Sequence, residues 1–208
     1  MLDSNTILMF MTASTVLAFA PGPDNIFVLT QSIVSGKTSG IYVTLGLCTG
    51  IIFHTIIVAL GLAAIFQTSV AAFNILKFLG AAYLLFLSYK SFEASKSNIS
   101  LNGSRKLPGL HLYRRGIIMN VTNPKVSIFF LAFLPQFTNP AGGNITLQLI
   151  FLGFLFIVVT FFVFSFISIL AGMISRWLMK SENSEKLLNR FAGFIFASLA
   201  LKLVFTER

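Results

Sequence analysis

The sequence predicts an all-α integral membrane protein: six transmembrane helices in two inverted three-helix repeats, with broken first and fourth helices. Composition is the first observation behind this. Of 208 residues, 56% are hydrophobic and only 10% charged, with a mean hydropathy of +0.87. A soluble domain carries about 25% charge, so lipid is the solvent this composition fits. The second observation is the division of the apolar residues into six runs, roughly 6–34, 41–66, 71–89, 116–137, 147–174 and 187–205. Each run can cross a hydrocarbon core of about 30 Å, which needs about 20 residues. The third is a charge, Asp24, inside an otherwise apolar run. Continuous stretches such as Phe154-Leu155-Phe156-Ile157-Val158-Val159 do not alternate, which argues against barrel strands.

The first run is interrupted by Pro21-Gly22-Pro23-Asp24-Asn25. Proline removes a donor from the helix ladder, and lipid cannot replace the lost hydrogen bonds. Asp24 is the only acid in the six runs. A charge at that depth costs about 2.5–3.5 kcal/mol on insertion scales. A broken helix carrying a charge at membrane depth is how transporters build a substrate site. Gln31 and Ser32 lie two turns farther on and are expected to line the same path. Ala18-Phe19-Ala20 resembles a signal cleavage site. The residues before it carry no cation and Pro21 would follow the cut, so the first run is expected to stay in the mature protein.

The second run contains Gly46-Leu47-Cys48-Thr49-Gly50, a spacing that lets helices approach closely. Its His54 has no neighbouring Cys, Asp or Glu at metal-ligand spacing, so a packed position at a helix interface is expected. Cys48 is the only cysteine, which excludes an intrachain disulfide and leaves a small packing residue. Leu76-Lys77-Phe78-Leu79-Gly80 in the third run is echoed by Asn189-Arg190-Phe191-Ala192-Gly193 in the sixth. Lys77, Tyr89, Trp177 and Lys202 fall near run ends and read as snorkelling or interfacial anchors.

The fourth run is broken by Asn120-Val121-Thr122-Asn123-Pro124-Lys125. Pro124 disfavours helical geometry at Asn123. A half-helix opening at Pro124 would present free N–H groups to an anion, with Lys125 adding a positive charge beside them. Asn120, Thr122 and Asn123 supply hydrogen-bonding groups. Gln136, after Pro135, is expected to end this run.

Cations set the orientation. Lys37 follows the first run. Lys90, Lys96, Arg105, Lys106, Arg114 and Arg115 follow the third, against Glu93, and Arg176, Lys180, Lys186 and Arg190 follow the fifth. Residues 67–70 and 138–146 carry no charge. The positive-inside rule places the basic connectors in the cytoplasm and both termini outside. The net charge of +9 therefore reflects topology rather than a nucleic-acid partner. The chain reads as one membrane domain, with halves 1–90 and 114–208 joined by a flexible cytoplasmic connector, 91–113, that includes His111 as a solvated loop residue.

Two halves of three spans have opposite orientation, so their breaks meet near the midplane. A zwitterion suits such a pair, with its ammonium on Asp24 and its carboxylate on free N–H groups. Asp24 could equally carry a proton, or form a structural ion pair with Lys125. No Walker A, HExxH or GxSxG pattern is present, so no nucleotide, metal or other cofactor is expected. Energy would come from an ion or proton gradient. A passive channel or a non-transporting membrane scaffold is the alternative.

Pro21-Gly22-Pro23-Asp24, Asn123-Pro124-Lys125 and the Phe133–Phe137 ending together resemble the LysE/RhtB family of amino-acid exporters, over essentially the whole chain. The resemblance implies a bacterial inner-membrane transporter, not an enzyme, that exports neutral amino acids by proton antiport. It carries over Asp24, Asn123, Pro124 and Lys125 as functional positions, to which the residue reading adds Asn25 and Asn120. The implied partners are a small amino acid, protons and the lipid bilayer; a homo-oligomer stays open.

Overall fold

The computed structural model describes residues 2–62, 70–93, 107–171, 173 and 182–205, and among these it is helical with no strand. Trp177, Lys96, Arg105, Lys106, Arg176 and Lys180 lie outside the described residues.

Helix α1 (Ser4–Phe19) starts on Asp3, whose carboxylate accepts from the Thr6 N–H at 2.6 Å. It stops at Ala20, and α2 (Pro23–Ser35) restarts at an angle of 61° with Pro23 in its first turn. Proline suits that position because its missing donor would have had no partner there. Gly36, at φ 88°, ends α2 and opens α3 (Lys37–Ile57), a turn that needs glycine's left-handed freedom. A π turn, Val58–Leu62, continues α3, and α4 spans Val70–Glu93. Helix α5 (Gly109–Val121) breaks at Thr122 and Asn123, and α6 (Pro124–Ile128) leaves at 49°. A π turn, Phe129–Phe133, and a 3-10 turn, Leu134–Phe137, extend α6. Helix α7 (Ile145–Ile169) is capped by Asn144, and α8 (Glu182–Phe205) ends the described chain.

Residues 37–61 and α7 are each long and apolar enough to cross a bilayer, and the two bent pairs α1–α2 and α5–α6 qualify as broken spans. The chain is a multi-pass membrane protein. Helices α4 and α8 have 24 residues each, about 36 Å at 1.5 Å per residue. Large apolar side chains such as Phe154, Phe162, Phe78 and Phe191 are exposed, as a lipid-facing surface requires.

Contacts fix the relative direction of the helices. Gly46 of α3 meets Gly116 of α5, and Gly50 meets Asn120, so these two helices run parallel. Neither glycine has room for a side chain: a β-carbon on Gly46 would strike the Tyr113 carbonyl, and one on Gly50 would lie 2.6 Å from the Asn120 β-carbon. The Gly46–Gly50 spacing is therefore a packing motif, as expected. Thr55 on Gly153 and Ser168 against Gly40 make α3 and α7 antiparallel, with Cys48 packed between them, its thiol 3.8 Å from the Ile157 carbonyl. Leu2 and Ile7 of the α1 end lie near Leu147, while Phe19 meets Phe166, so α1 runs parallel to α7. Ser88 donates to the Gly193 carbonyl at 2.8 Å and Lys77 to the Val204 carbonyl at 3.3 Å, so α4 and α8 are antiparallel. These directions gather Lys37, Lys90, Arg114, Arg115, Lys186 and Arg190 toward one end of the bundle.

Lys77 is held at its run end by donating to a carbonyl in the last turn of α8, where a cation meets the negative end of the helix dipole. One reading of a single residue changes. His111 is exposed but sits in the first turn of α5 rather than in a loop, because α5 begins at Gly109. Lys202 and Tyr89 are exposed, and Lys202 lies 5.0 Å over the Phe137 ring.

On the side away from the basic end, the interior is aromatic. Phe10, Phe129, Phe133 and Phe137 form a chain of ring contacts at 5.0–6.2 Å, and Phe129 and Phe130 both reach Phe156 at 5.2 Å. All six are buried.

Because Gly46 faces backbone, Gly46→Ala is expected to cost about 1–3 kcal/mol, the range for overpacking a tight contact. It should lower the melting temperature of the detergent-solubilised protein. Gly61→Ala, at a position with open space, is expected to melt like the parent. Equal melting of both variants would mean that the α3–α5 crossing is not held this tightly.

Candidate functional site

The two helix breaks lie against each other, and each charged side chain serves the opposite break. Asp24 follows the proline that opens α2. Its Oδ2 accepts from Asn123 Nδ2 at 2.7 Å, and Asn123 stands immediately before the proline that opens α6. Lys125 follows that second proline. Its Nζ donates to the carbonyls of Ala20 at 3.0 Å and Leu17 at 3.4 Å, at the end of α1. Gly22, immediately before Pro23, leaves space for this ammonium: a β-carbon there would lie 3.2 Å from Nζ. Asp24 is 2% exposed, Asn120 2%, Asn123 4% and Lys125 7%, so the group is shielded from solvent.

The arrangement follows from how helices end. The last carbonyls of α1 have no donors from their own helix. Pro21 and Pro23 cannot provide any. Asn25 supplies one, its Nδ2 reaching the Ala18 carbonyl at 2.7 Å, and Lys125 supplies those of Leu17 and Ala20. The cation thus sits at the negative end of the α1 dipole, and Asp24 sits in the first turn of α2, at the positive end. At the second break, Asn123 caps α6 by accepting from the Lys125 N–H at 3.0 Å, and His54 Nε2 meets the Asn120 carbonyl at 3.1 Å. A carbonyl only accepts, so Nε2 carries the proton. His54 is packed between α3 and α5, with its ring 5.7 Å from that of Phe130, in agreement with the interface position expected.

All five polar site residues expected from the sequence, Asp24, Asn25, Asn120, Asn123 and Lys125, come together here, along with the breaks at Pro21, Gly22, Pro23 and Pro124. One element differs. Lys125 does not reinforce an anion site at the start of its own half-helix; it turns back onto the carbonyls of α1, and Asn123 already occupies the α6 cap. Asp24 and Lys125 make no direct ion pair, and Asp24 takes its hydrogen bond from the Asn123 amide instead.

Between the breaks lies a small cavity of about 10 Å³, lined by Asp24, Asn120, Lys125, Thr160, Phe156 and Phe164 among others. That is room for about one water molecule. A whole amino acid does not fit in this conformation. Thr160 of α7 is the lining residue that the sequence does not announce, since a threonine within the most apolar helix resembles any packing residue. Farther toward the basic end, Gln31 and Ser32 of α2 are buried, and Ser32 converges with Ser168 and Gly40.

A family model described as LysE type translocator matches residues 15–207. A homoserine/homoserine lactone efflux protein of Salmonella typhimurium is 35% identical, covering 90% of this chain and 90% of its own. A leucine efflux protein of Enterobacter sp. is 27% identical, covering 93% and 92%. An uncharacterized membrane protein of Bacillus subtilis is 31% identical, covering 95% and 98%. No solved structure matches the chain.

Lys125→Met removes the donors from two buried carbonyls, each of which then costs about 1–3 kcal/mol. The variant is expected to melt well below the parent in detergent, and Asn123→Ala should melt lower as well. A Lys125→Met protein as stable as the parent would show that the carbonyls find other donors.

Proposed function

This chain belongs to the LysE type translocator family, and we propose that it exports small, neutral amino acids such as homoserine, threonine or leucine from the cytoplasm by proton antiport. The observation that carries the reading is the pair of opposed helix breaks, with buried Asp24 and Lys125 around a small cavity. A relative named for homoserine efflux and another named for leucine efflux support the substrate class. The chain then lies in the bacterial inner membrane with both termini outside, because the cations gather at one end.

Six spans and two inverted halves, 1–90 and 114–208 about connector 91–113, give this site its geometry. The exchange of partners supports that plan. The first half-helix of the fourth span, α5, packs on α3, and the first half-helix of the first span, α1, packs on α7. Helices α3 and α7 would be counterparts in the two halves, and α4 and α8 likewise. Each charged residue follows a proline and reaches the segment before the other proline, as a two-fold relation would require. In this scheme the cavity of about 10 Å³ is too small for the cargo, so transport requires the half-helices to part.

Asp24 is the proton-sensitive group in this scheme. Asp24→Asn keeps the shape and an acceptor oxygen but removes the titrating carboxylate. It is expected to insert and fold while losing at least 90% of proton-driven efflux, measured with radiolabelled leucine or homoserine in proteoliposomes under an imposed pH gradient. Undiminished, gradient-dependent efflux in this variant would remove Asp24 from the coupling step.

A further inference from the structure

We infer that Thr160, with Asp24 and Asn120, forms a cradle for the primary ammonium of the transported molecule. The inference deepens the export reading and rests on it for the identity of the cargo.

Three residues that line the cavity between the helix breaks each carry a buried oxygen without a hydrogen-bond partner: Asp24 Oδ1, Asn120 Oδ1 and Thr160 Oγ1. The neighbouring acceptors of two of these residues are already engaged. Asp24 Oδ2 takes the Asn123 amide, and the Asn120 backbone carbonyl takes His54. Two fully buried helical hydroxyls, Ser14 and Thr160, make no hydrogen bond, and of the two only Thr160 lines this cavity. Ser32, Thr44, Thr55 and Ser168 all donate to the carbonyl four residues earlier at 2.7–2.9 Å. Thr160, 2% exposed, makes no such bond. A hydroxyl that forgoes its local acceptor at a membrane-buried cavity has unspent hydrogen-bonding capacity, and such capacity is costly unless a partner arrives.

The chemistry of that partner follows from count, charge and size. An ammonium head has three N–H donors and accepts nothing. The cavity offers three open oxygens, one of them on a carboxylate. Its volume suits a group the size of one water, which is also the size of an ammonium head. The oxygens come from α2, α5 and α7, so the cradle closes only when the two halves meet. Lys125 lines the same cavity, with its ammonium held by the carbonyls of Leu17 and Ala20 rather than paired with Asp24. The apolar remainder, Leu17, Ala18, Ile51, Val126, Phe156 and Phe164, provides no further donor or acceptor side chain.

The test uses the full chain, parent, Thr160→Val and Thr160→Ser, in proteoliposomes and in detergent. Valine keeps the shape without the hydroxyl; serine keeps the hydroxyl. Thr160→Val is expected to raise the KM for leucine or homoserine counterflow about tenfold with little change in maximal rate, while Thr160→Ser stays within about threefold of the parent. Methylammonium, which has the ammonium head and no carboxylate, is expected to raise the melting temperature of the parent and of Thr160→Ser but not of Thr160→Val. An unchanged KM in Thr160→Val overturns the cradle while leaving amino-acid export intact. A parent that moves no amino acid defeats the export reading, and methylammonium then decides the cradle alone. Equal protection of parent and Thr160→Val overturns it, and protection lost only in Thr160→Val upholds it.

Discussion

The structure depends on one constraint: a helix broken inside a membrane exposes carbonyls that lipid cannot satisfy. The end of α1 meets that constraint with donors from far along the chain, Lys125 above all. The same exchange holds Asp24 against Asn123. Both charges are thus placed where helix ends favour their sign. This is why two ionisable groups can sit at such low exposure without touching each other. It is also why the breaks cannot drift apart without both losing their partners.

The crossings of α3 hold this exchange in place. Gly46 and Gly50 bring α5 close enough for Asn120 to project beside the break, and Thr55 on Gly153 brings α7 to the other side. The aromatic cluster around Phe129, Phe133 and Phe156 fills the space beyond the cavity with dry, interlocked rings. Toward the basic end the neighbouring positions of α2 and α7 are partly polar, with Gln31, Ser32 and Ser168 buried there. The cavity therefore has unlike surroundings on its two sides: hydroxyls and an amide on one, phenylalanine on the other.

Much of this was legible from the residues. Asp24, Lys125 and the prolines stand out because a charge or a missing donor is expensive in an apolar run, so their presence signals a compensating arrangement. The bends at Pro21–Pro23 and Asn123–Pro124 followed directly. The direction of Lys125 did not, because a long flexible side chain can serve its own helix or another, and only the fold chooses. Lys77 illustrates the same limit, since its place at a run end does not tell that it reaches across to the last turn of α8. Thr160 was hidden for a different reason. Helical threonines normally satisfy themselves on the preceding turn, so their appearance in an apolar stretch carries no cost and no signal. The π turns at Val58–Leu62 and Phe129–Phe133 follow no composition rule and came only from packing.

The pairing of Lys125 with the carbonyl of Ala20 spans 105 positions of the chain. A ribosome feeding the chain into the membrane releases α1 and α2 long before Lys125 exists. During that interval Asn25 can cover the Ala18 carbonyl, but Ala20 and Leu17 must rely on water. A fragment that stops before Asn123-Pro124-Lys125 would leave the Ala20 and Leu17 carbonyls without the donor that the full chain gives them.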